Sequence, residues 1–80
     1  MEKDGKTIKL QSEFGKLVRK YRIKLKLSQE ILAEKADIHR TYVSDIELGK
    51  VDISISVAYK LAKALNLSFN RLVKEAEKNI

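Results

Sequence analysis

The sequence predicts an all-α fold. Its 80 residues contain no proline, the residue that most disrupts helices. Apolar residues recur at helical spacing along most of the chain, whereas strand-like alternation is confined to short pieces such as IKLKL (23–27) and VDISIS (51–56). Because 80 residues suffice for one compact domain and not for two, we expect a single helical domain.

The N-terminal part of the chain divides into an arm and a first helix. Residues 1–11 have weak periodicity and scattered lysines, so we expect a flexible N-terminal arm there and a domain over residues 12–80. A first helix is expected from about Ser12 to Leu25, because apolar residues follow one another at spacings of three and four. Its apolar side contains Phe14, Leu17, Val18, Tyr21 and Leu25.

Two short helices with a tight turn between them are predicted over about residues 28–48. Ser28 is a helix N-cap, and the helix that it begins ends near Ala36. A third helix is expected from about Arg40 to Leu48, and Gly49 supplies the left-handed residue that ends it. This arrangement is typical of a helix-turn-helix, whose second helix enters the major groove of DNA.

Two further helices complete the chain. Ser54 caps a fourth helix that ends at Leu65, Asn66 is a C-terminal stop, and Ser68 caps a fifth helix. Eight of the eleven residues 55–65 are apolar, so the fourth helix is buried on more than one side. Either it is the central helix of the core, or part of it meets a second subunit.

The composition favours a polyanionic partner and excludes several kinds of site. The formal net charge is +6, with nine Lys and Arg against three acids in residues 1–27 and three against six in residues 28–53. The chain lacks cysteine, and its one histidine, His39, cannot form a metal site alone, so we expect neither metal nor cofactor. Without cysteines, a signal peptide or an apolar run of membrane-spanning length, a cytoplasmic protein is expected, with no membrane partner.

The sequence also lacks the residue sets that enzymes use. It contains no HExxH motif and no nucleophile with a neighbouring base, and Gly5, Gly15 and Gly49 are too far apart for a phosphate-binding loop. We therefore expect no catalytic residues and a binding function.

The segment LSQEILAEKADIHRTYVSDIELGKVDISI (27–55) resembles the XRE-like, lambda-repressor-like helix-turn-helix family of phage repressors and Cro proteins. Within that family it is most similar to the controller proteins of restriction–modification systems, and HRTYVSDIELGK (39–50) is its most specific part. The resemblance implies a five-helix DNA-binding domain. It also implies a transcriptional regulator that binds a palindromic operator as a homodimer, and the apolar fourth helix leads us to expect that the dimer forms through helices 4 and 5.

The resemblance implies that the outer face of the third helix reads DNA bases. Arg40, Thr41 and Asp45 match positions that touch base edges in relatives. Tyr42 matches a tyrosine at the DNA face of controller proteins, and Ser44 lies one step round the helix. An arginine bonds guanine bidentately, whereas a carboxylate is repelled by phosphate unless it accepts from cytosine.

Each of these residues has an alternative role. Arg40 is otherwise a surface charge or a phosphate contact, and Tyr42 a partly buried packing residue. Thr41 offers its methyl group to thymine or its hydroxyl to a phosphate, and Asp45 forms an ion pair within the protein or is solvated.

The same resemblance implies phosphate contacts and one structural ion pair. Gln29, the first residue of the second helix, matches the family glutamine that bonds a phosphate. Arg22 and Glu47 match an ion pair that links the first helix to the third. The remaining phosphate candidates are basic residues of lower specificity, namely Lys50, Arg19, Lys24 and Lys26.

Three positions depart from the family pattern. Ile31 stands where a capping glutamate is frequent, Lys26 where a glycine is common, and Leu48 where an asparagine or arginine often lies near a phosphate. These departures affect local stability and one backbone contact, and they leave the reading face intact.

Two further functions fit the same fold. The chain is alternatively an antitoxin or phage-type repressor that regulates its own operon, or a protein-bridging module that no longer reads DNA. The presence of Arg40, Thr41 and Gln29 together favours DNA reading over bridging. For the arm, Lys3, Lys6 and Lys9 suggest wrapping around the duplex, with a frayed terminus as the alternative.

Overall fold

The computed structural model describes residues 4–80, which form five α-helices: α1 (Gly5–Lys24), α2 (Gln29–Ala36), α3 (Arg40–Glu47), α4 (Ile55–Ala64) and α5 (Phe69–Glu77). Helix α1 packs against α3 and α5, α2 packs against α3 and α4, and α4 packs against α5. The prediction of an all-α fold is therefore confirmed for residues 4–80.

Every helix contributes to one apolar core. Its largest fully buried side chains are Val18 from α1, Leu32 from α2, Val43 and Ile46 from α3, Leu61 from α4 and Leu72 from α5. Four of the five residues predicted for the apolar side of the first helix are buried, but Leu25 is 40% exposed, so that part of the prediction is wrong. The physical reason is that α1 ends at Lys24 and the chain turns away through Lys26.

Helix α1 begins earlier than its sequence pattern predicted. Asp4 caps it, because the Asp4 carboxylate accepts a hydrogen bond from the Thr7 backbone N–H at 2.8 Å. The predicted start at Ser12 is therefore wrong, and residues 5–11, predicted as part of a loose arm, are helical. Lys6 and Lys9 lie on this helix, whereas Lys3 lies outside the described residues.

Each of the four inter-helix connections has a left-handed residue at its first or second position: Lys26, Asp37, Gly49 and Asn66, with φ between 55° and 71°. In each case the next backbone N–H bonds to a carbonyl five residues back, for example Lys50 N–H to Asp45 O at 3.0 Å. This Schellman arrangement ends the preceding helix. The predicted stops at Gly49 and Asn66 are confirmed, and at Lys26 a lysine takes the left-handed conformation that glycine adopts without strain.

Glycine is required where α1 crosses α3. A Cβ atom on Gly15 would lie 2.0 Å from the carbonyl oxygen of Ile46, so no larger residue fits without a shift of backbone. The backbones of α1 and α3 therefore lie in close contact at this crossing.

A hydrogen bond joins α1 to α5. The Tyr21 hydroxyl donates to the Glu75 carboxylate, with both carboxylate oxygens 2.8 Å away, and Arg71 Nε donates to the same group at 3.3 Å. The bond between Tyr21 and Glu75 is the main cause that raises the pKa of Tyr21 and lowers the pKa of Glu75.

Candidate nucleic-acid interface

Helices α2 and α3 form the helix pair that the sequence predicted. The Ser28 hydroxyl caps α2 by accepting from the Ile31 N–H at 3.0 Å, and α2 ends at Ala36. The left-handed residue Asp37 then reverses the chain, and α3 begins at Arg40 after only three connecting residues. Because the connection is this short, the position of α3 follows directly from that of α2.

Helix α3 has an apolar inner face and a polar outer face. Val43 and Ile46 are 0% and 2% exposed and anchor the helix in the core. Arg40 and Thr41 are exposed in its first turn. The outer face therefore carries a guanidinium and a hydroxyl, groups that can hydrogen-bond to base edges or phosphates.

The other predicted base-reading residues are less exposed. Ser44 and Asp45 are half-buried, and Tyr42 is partly buried against the apolar core. Tyr42 is thus packed against the core yet partly exposed, which is compatible with both roles considered for it. Helix α3 itself has no side-chain cap, since His39 makes no capping hydrogen bond.

Arg22 and Glu47 meet beneath α3. Arg22 Nε donates to Glu47 Oε2 at 2.7 Å and Nη2 donates to Oε1 at 3.0 Å, while Nη1 donates to the Leu27 carbonyl at 2.8 Å. The Arg22 and Glu47 side chains are 11% and 1% exposed. One guanidinium therefore joins α1, the loop before α2, and α3 in a largely desolvated, bidentate ion pair.

Gln29 joins the same network. Its Nε2 donates to Glu47 Oε1 at 3.1 Å, and its side chain lies half-buried at the start of α2. The structure thus brings together three of the predicted residues, Gln29, Arg22 and Glu47. The sequence pattern did not predict the contact between Gln29 and Glu47, since the two residues lie on different helices.

The predicted basic phosphate contacts are all exposed, but they do not form one cluster. Lys26 lies in the loop that precedes α2, and Lys50 lies in the loop that follows α3. Arg19 lies one turn before Arg22 on α1. Lys24 differs from these, because its Nζ lies 5.9 Å from the centroid of the Tyr21 ring. That ring bonds to α5, so the structure places Lys24 on the α5 side of α1.

Sequence reasoning missed a further contact to the end of α3. Gln11 Nε2 donates to the Gly49 carbonyl at 3.2 Å, which connects the N-terminal half of α1 to the loop that carries Lys50. The capping pattern of Asp4 three residues before Thr7 would have predicted that α1 includes Gln11, but not the partner of the Gln11 side chain.

Between residues 4 and 80, no group of His, Asp and Glu is arranged to hold a metal ion. No helix in the same part of the chain is long and apolar enough to span a membrane.

Comparison with known proteins identifies relatives over most of the chain. A helix-turn-helix family model matches residues 18–72. Control protein C.BamHI of Bacillus amyloliquefaciens is 47% identical over 55 residues, which is 68% of this chain and 68% of that protein.

Two solved structures of restriction–modification controller proteins have the same fold. C.AhdI from Aeromonas hydrophila superposes with a TM-score of 0.75 at 35% identity, over 78% of this chain and 94% of that one. The C.Esp1396I tetramer, solved in complex with its natural 35 base-pair operator, gives 0.74 at 32% identity, over 84% of this chain and 93% of that one.

Proposed function

The chain belongs to the helix-turn-helix family, and from this membership we propose that it is a sequence-specific regulator of transcription that binds double-stranded DNA. In this proposal α3 lies in the major groove and α2 crosses the DNA backbone. The observation that carries it is the outer face of α3, where Arg40 and Thr41 are exposed on a helix held rigidly by Val43, Ile46 and Glu47.

The residues divide into base readers and phosphate contacts. Arg40 hydrogen-bonds to a guanine, and Thr41 and Tyr42 contact neighbouring bases. Ser44 and Asp45 add further base contacts, and Asp45 does so by accepting a hydrogen bond from the amino group of a cytosine. Gln29 bonds a phosphate at the N-terminus of α2. The remaining phosphate contacts are Lys50, Arg19 and Lys26, with Lys24 the weakest candidate because it lies towards α5.

The regulator acts as a homodimer on a palindromic operator. Helix α4 exposes two large apolar side chains, Ile55 at 73% and Tyr59 at 50%, and the half-buried ring of Phe69 on α5 lies 6.3 Å from that of Tyr59. We define Ile55, Tyr59 and Phe69 as the apolar patch. A second copy of the chain covers this patch, and two-fold symmetry then places the two α3 helices on half-sites about one helical turn apart, roughly 10 base pairs.

The regulated genes are those of a restriction–modification operon. Support comes from the identity to a control protein over two thirds of both chains and from the fold shared with two controller proteins. The chain acts in the cytoplasm, where its operator DNA is found.

The test is a footprint on the DNA immediately upstream of this chain's own gene. A controller protein regulates its own operon, so we expect protection of an inverted repeat there, with a restriction endonuclease and a methyltransferase encoded nearby. A neighbouring small toxin gene with the same footprint would identify an antitoxin instead. Absence of protection by a protein that circular dichroism shows to be folded would contradict the proposal.

A further inference from the structure

We infer that Glu47 is a positioning residue that holds the Gln29 side chain in the orientation needed to bind a DNA phosphate. The inference rests on the proposed function and deepens it. It gives the ion pair between Arg22 and Glu47 a role in binding as well as in stability.

Both oxygens of the Glu47 carboxylate accept hydrogen bonds. Its Oε2 accepts from Arg22 Nε at 2.7 Å, and its Oε1 accepts both Arg22 Nη2 at 3.0 Å and Gln29 Nε2 at 3.1 Å. The Glu47 side chain is 1% exposed, so its oxygens have fixed positions in the packed structure. Gln29 therefore hydrogen-bonds to a rigid acceptor.

A glutamine amide can satisfy two partners at once. Its Nε2 carries two hydrogens, and the one bonded to Glu47 fixes the rotation of the whole amide group. The second hydrogen remains available to a phosphate at the N-terminus of α2, which favours anions. A side chain already held in its bound orientation loses less conformational entropy when the phosphate arrives.

Arg22 makes this arrangement compatible with DNA. An isolated carboxylate close to a phosphate would repel it, but the bidentate guanidinium balances the charge of Glu47. Arg22 fixes the position of the Glu47 carboxylate by a bidentate hydrogen bond. Glu47 in turn fixes the orientation of the Gln29 amide. Only Gln29 would touch the DNA.

The substitution Glu47→Gln distinguishes positioning from long-range electrostatics. Removing a negative charge from the protein should by itself strengthen binding to any DNA. The glutamine, however, offers one carbonyl oxygen where the carboxylate accepts three hydrogen bonds, so its amide nitrogen must face a donor of Arg22 or Gln29. We therefore expect weaker binding, by roughly tenfold, about the contribution of one hydrogen bond to a charged group.

The experiment is a double-mutant cycle on a mixed-sequence DNA duplex at low salt, because a phosphate contact acts on every sequence. Affinity is measured for the wild-type protein, Gln29→Ala, Glu47→Gln and the double variant. If Glu47 acts through Gln29, Glu47→Gln weakens binding in the wild-type background and has no such effect once Gln29 is alanine. The matched control is Glu34→Gln, the same chemical change at an exposed residue of α2, which should not weaken binding.

Equal losses from Glu47→Gln in both backgrounds would overturn the inference, since Glu47 would then act through the placement of α3 alone. If the wild-type protein binds the duplex but the cycle shows no coupling between Gln29 and Glu47, only this inference is overturned. Failure of the folded wild-type protein to bind any duplex overturns the proposed function as well.

A measurement on the wild-type protein covers the case in which Glu47→Gln does not fold. The side-chain amide protons of Gln29, observed by NMR, should exchange with water more slowly than those of the exposed Asn70, both free and on the duplex. Exchange of Gln29 as fast as that of Asn70 would overturn the inference.

Discussion

The pairs α2–α3 and α4–α5 are built alike and present different surfaces. In each pair a serine caps the first helix, Ser28 or Ser54, and a left-handed residue, Asp37 or Asn66, turns the chain into the second helix. The α2–α3 pair exposes polar side chains such as Arg40, whereas α4 exposes Ile55. Helix-pair geometry alone therefore does not define a DNA-reading element, and in the proposed function it is the exposed chemistry that distinguishes the pair that binds DNA from the pair that meets a second copy of the chain.

The largest expected effect concerns the anchor of the α2–α3 pair. Arg22→Ala leaves the buried Glu47 carboxylate without its charged partner, so the free energy of unfolding should fall by about 3–5 kcal/mol in urea denaturation. Arg19→Ala removes the same charge from an exposed position one turn earlier. This variant should change the free energy of unfolding by less than about 0.5 kcal/mol. Similar losses from both variants would contradict a specific role for the ion pair.

The next effect concerns the contact between α1 and α3. Gly15→Ala places a methyl group against the Ile46 carbonyl, and we expect a loss of about 2–3 kcal/mol in the free energy of unfolding. Gly5→Ala makes the same change at the first residue of the same helix, where the added Cβ meets no atom within 4 Å beyond the adjoining helix backbone, and should stabilise the protein by at most about 1 kcal/mol. Stabilisation by both variants would show that α1 and α3 are not in close contact.

The apolar patch gives the matching prediction for the α4–α5 pair. Ile55→Ser should weaken self-association, measured by sedimentation equilibrium, by about 1.5–3 kcal/mol for each isoleucine that the interface buries. Monomer stability should change little because Ile55 is exposed in the monomer. The control is Ile23→Ser, which changes an exposed isoleucine on α1 and should leave self-association unchanged. Equal weakening by the two variants would mean that the apolar patch is not the interface.

The reading face itself gives a smaller effect. Arg40→Ala should cost about 1–3 kcal/mol of binding free energy on the true operator and relax the sequence preference, because a bidentate contact to guanine is lost. Gln29→Ala should weaken all duplexes alike, since phosphates carry no sequence information. Titration of operator and scrambled duplexes separates the two. The same loss of preference in both variants would contradict this division of labour.

The smallest effect lies at the contact between α1 and α5 and depends on pH. The hydrogen bond from Tyr21 lowers the pKa of Glu75 below its ordinary value of 4.5 in the folded protein. The stability that this contributes is therefore present above that value and is lost as the pH falls through the lowered pKa. In urea denaturation the wild-type protein should lose more stability on acidification than Tyr21→Phe does. Parallel acid profiles would contradict the coupling.

The sequence predicted the helices wherever a buried apolar stripe accompanies the cap. Ser28, Ser54 and Ser68 cap α2, α4 and α5 as expected. Each serine hydroxyl accepts a hydrogen bond from the backbone N–H three residues later, so the cap is visible in the local sequence. The early start of α1 was missed because residues 5–10 are exposed, so their helical period is not marked by a buried stripe.

The candidate site was less predictable than the fold. The polar face of α3 follows from its periodicity, but the function of that face came from the family resemblance. The hydrogen bonds from Gln29 to Glu47 and from Gln11 to Gly49 join residues 18 and 38 positions apart, and only the packing of the helices brings them together. No local pattern in a single sequence records such contacts.

The central claim, that α3 reads a palindromic DNA site, is tested most directly by selecting bound duplexes from a randomised DNA pool at near-physiological salt, where non-specific attraction is weak. We predict enrichment of an inverted repeat whose half-sites lie about one helical turn apart. A folded protein that enriches no sequence would contradict the claim and would favour a protein-bridging role for the helix-turn-helix.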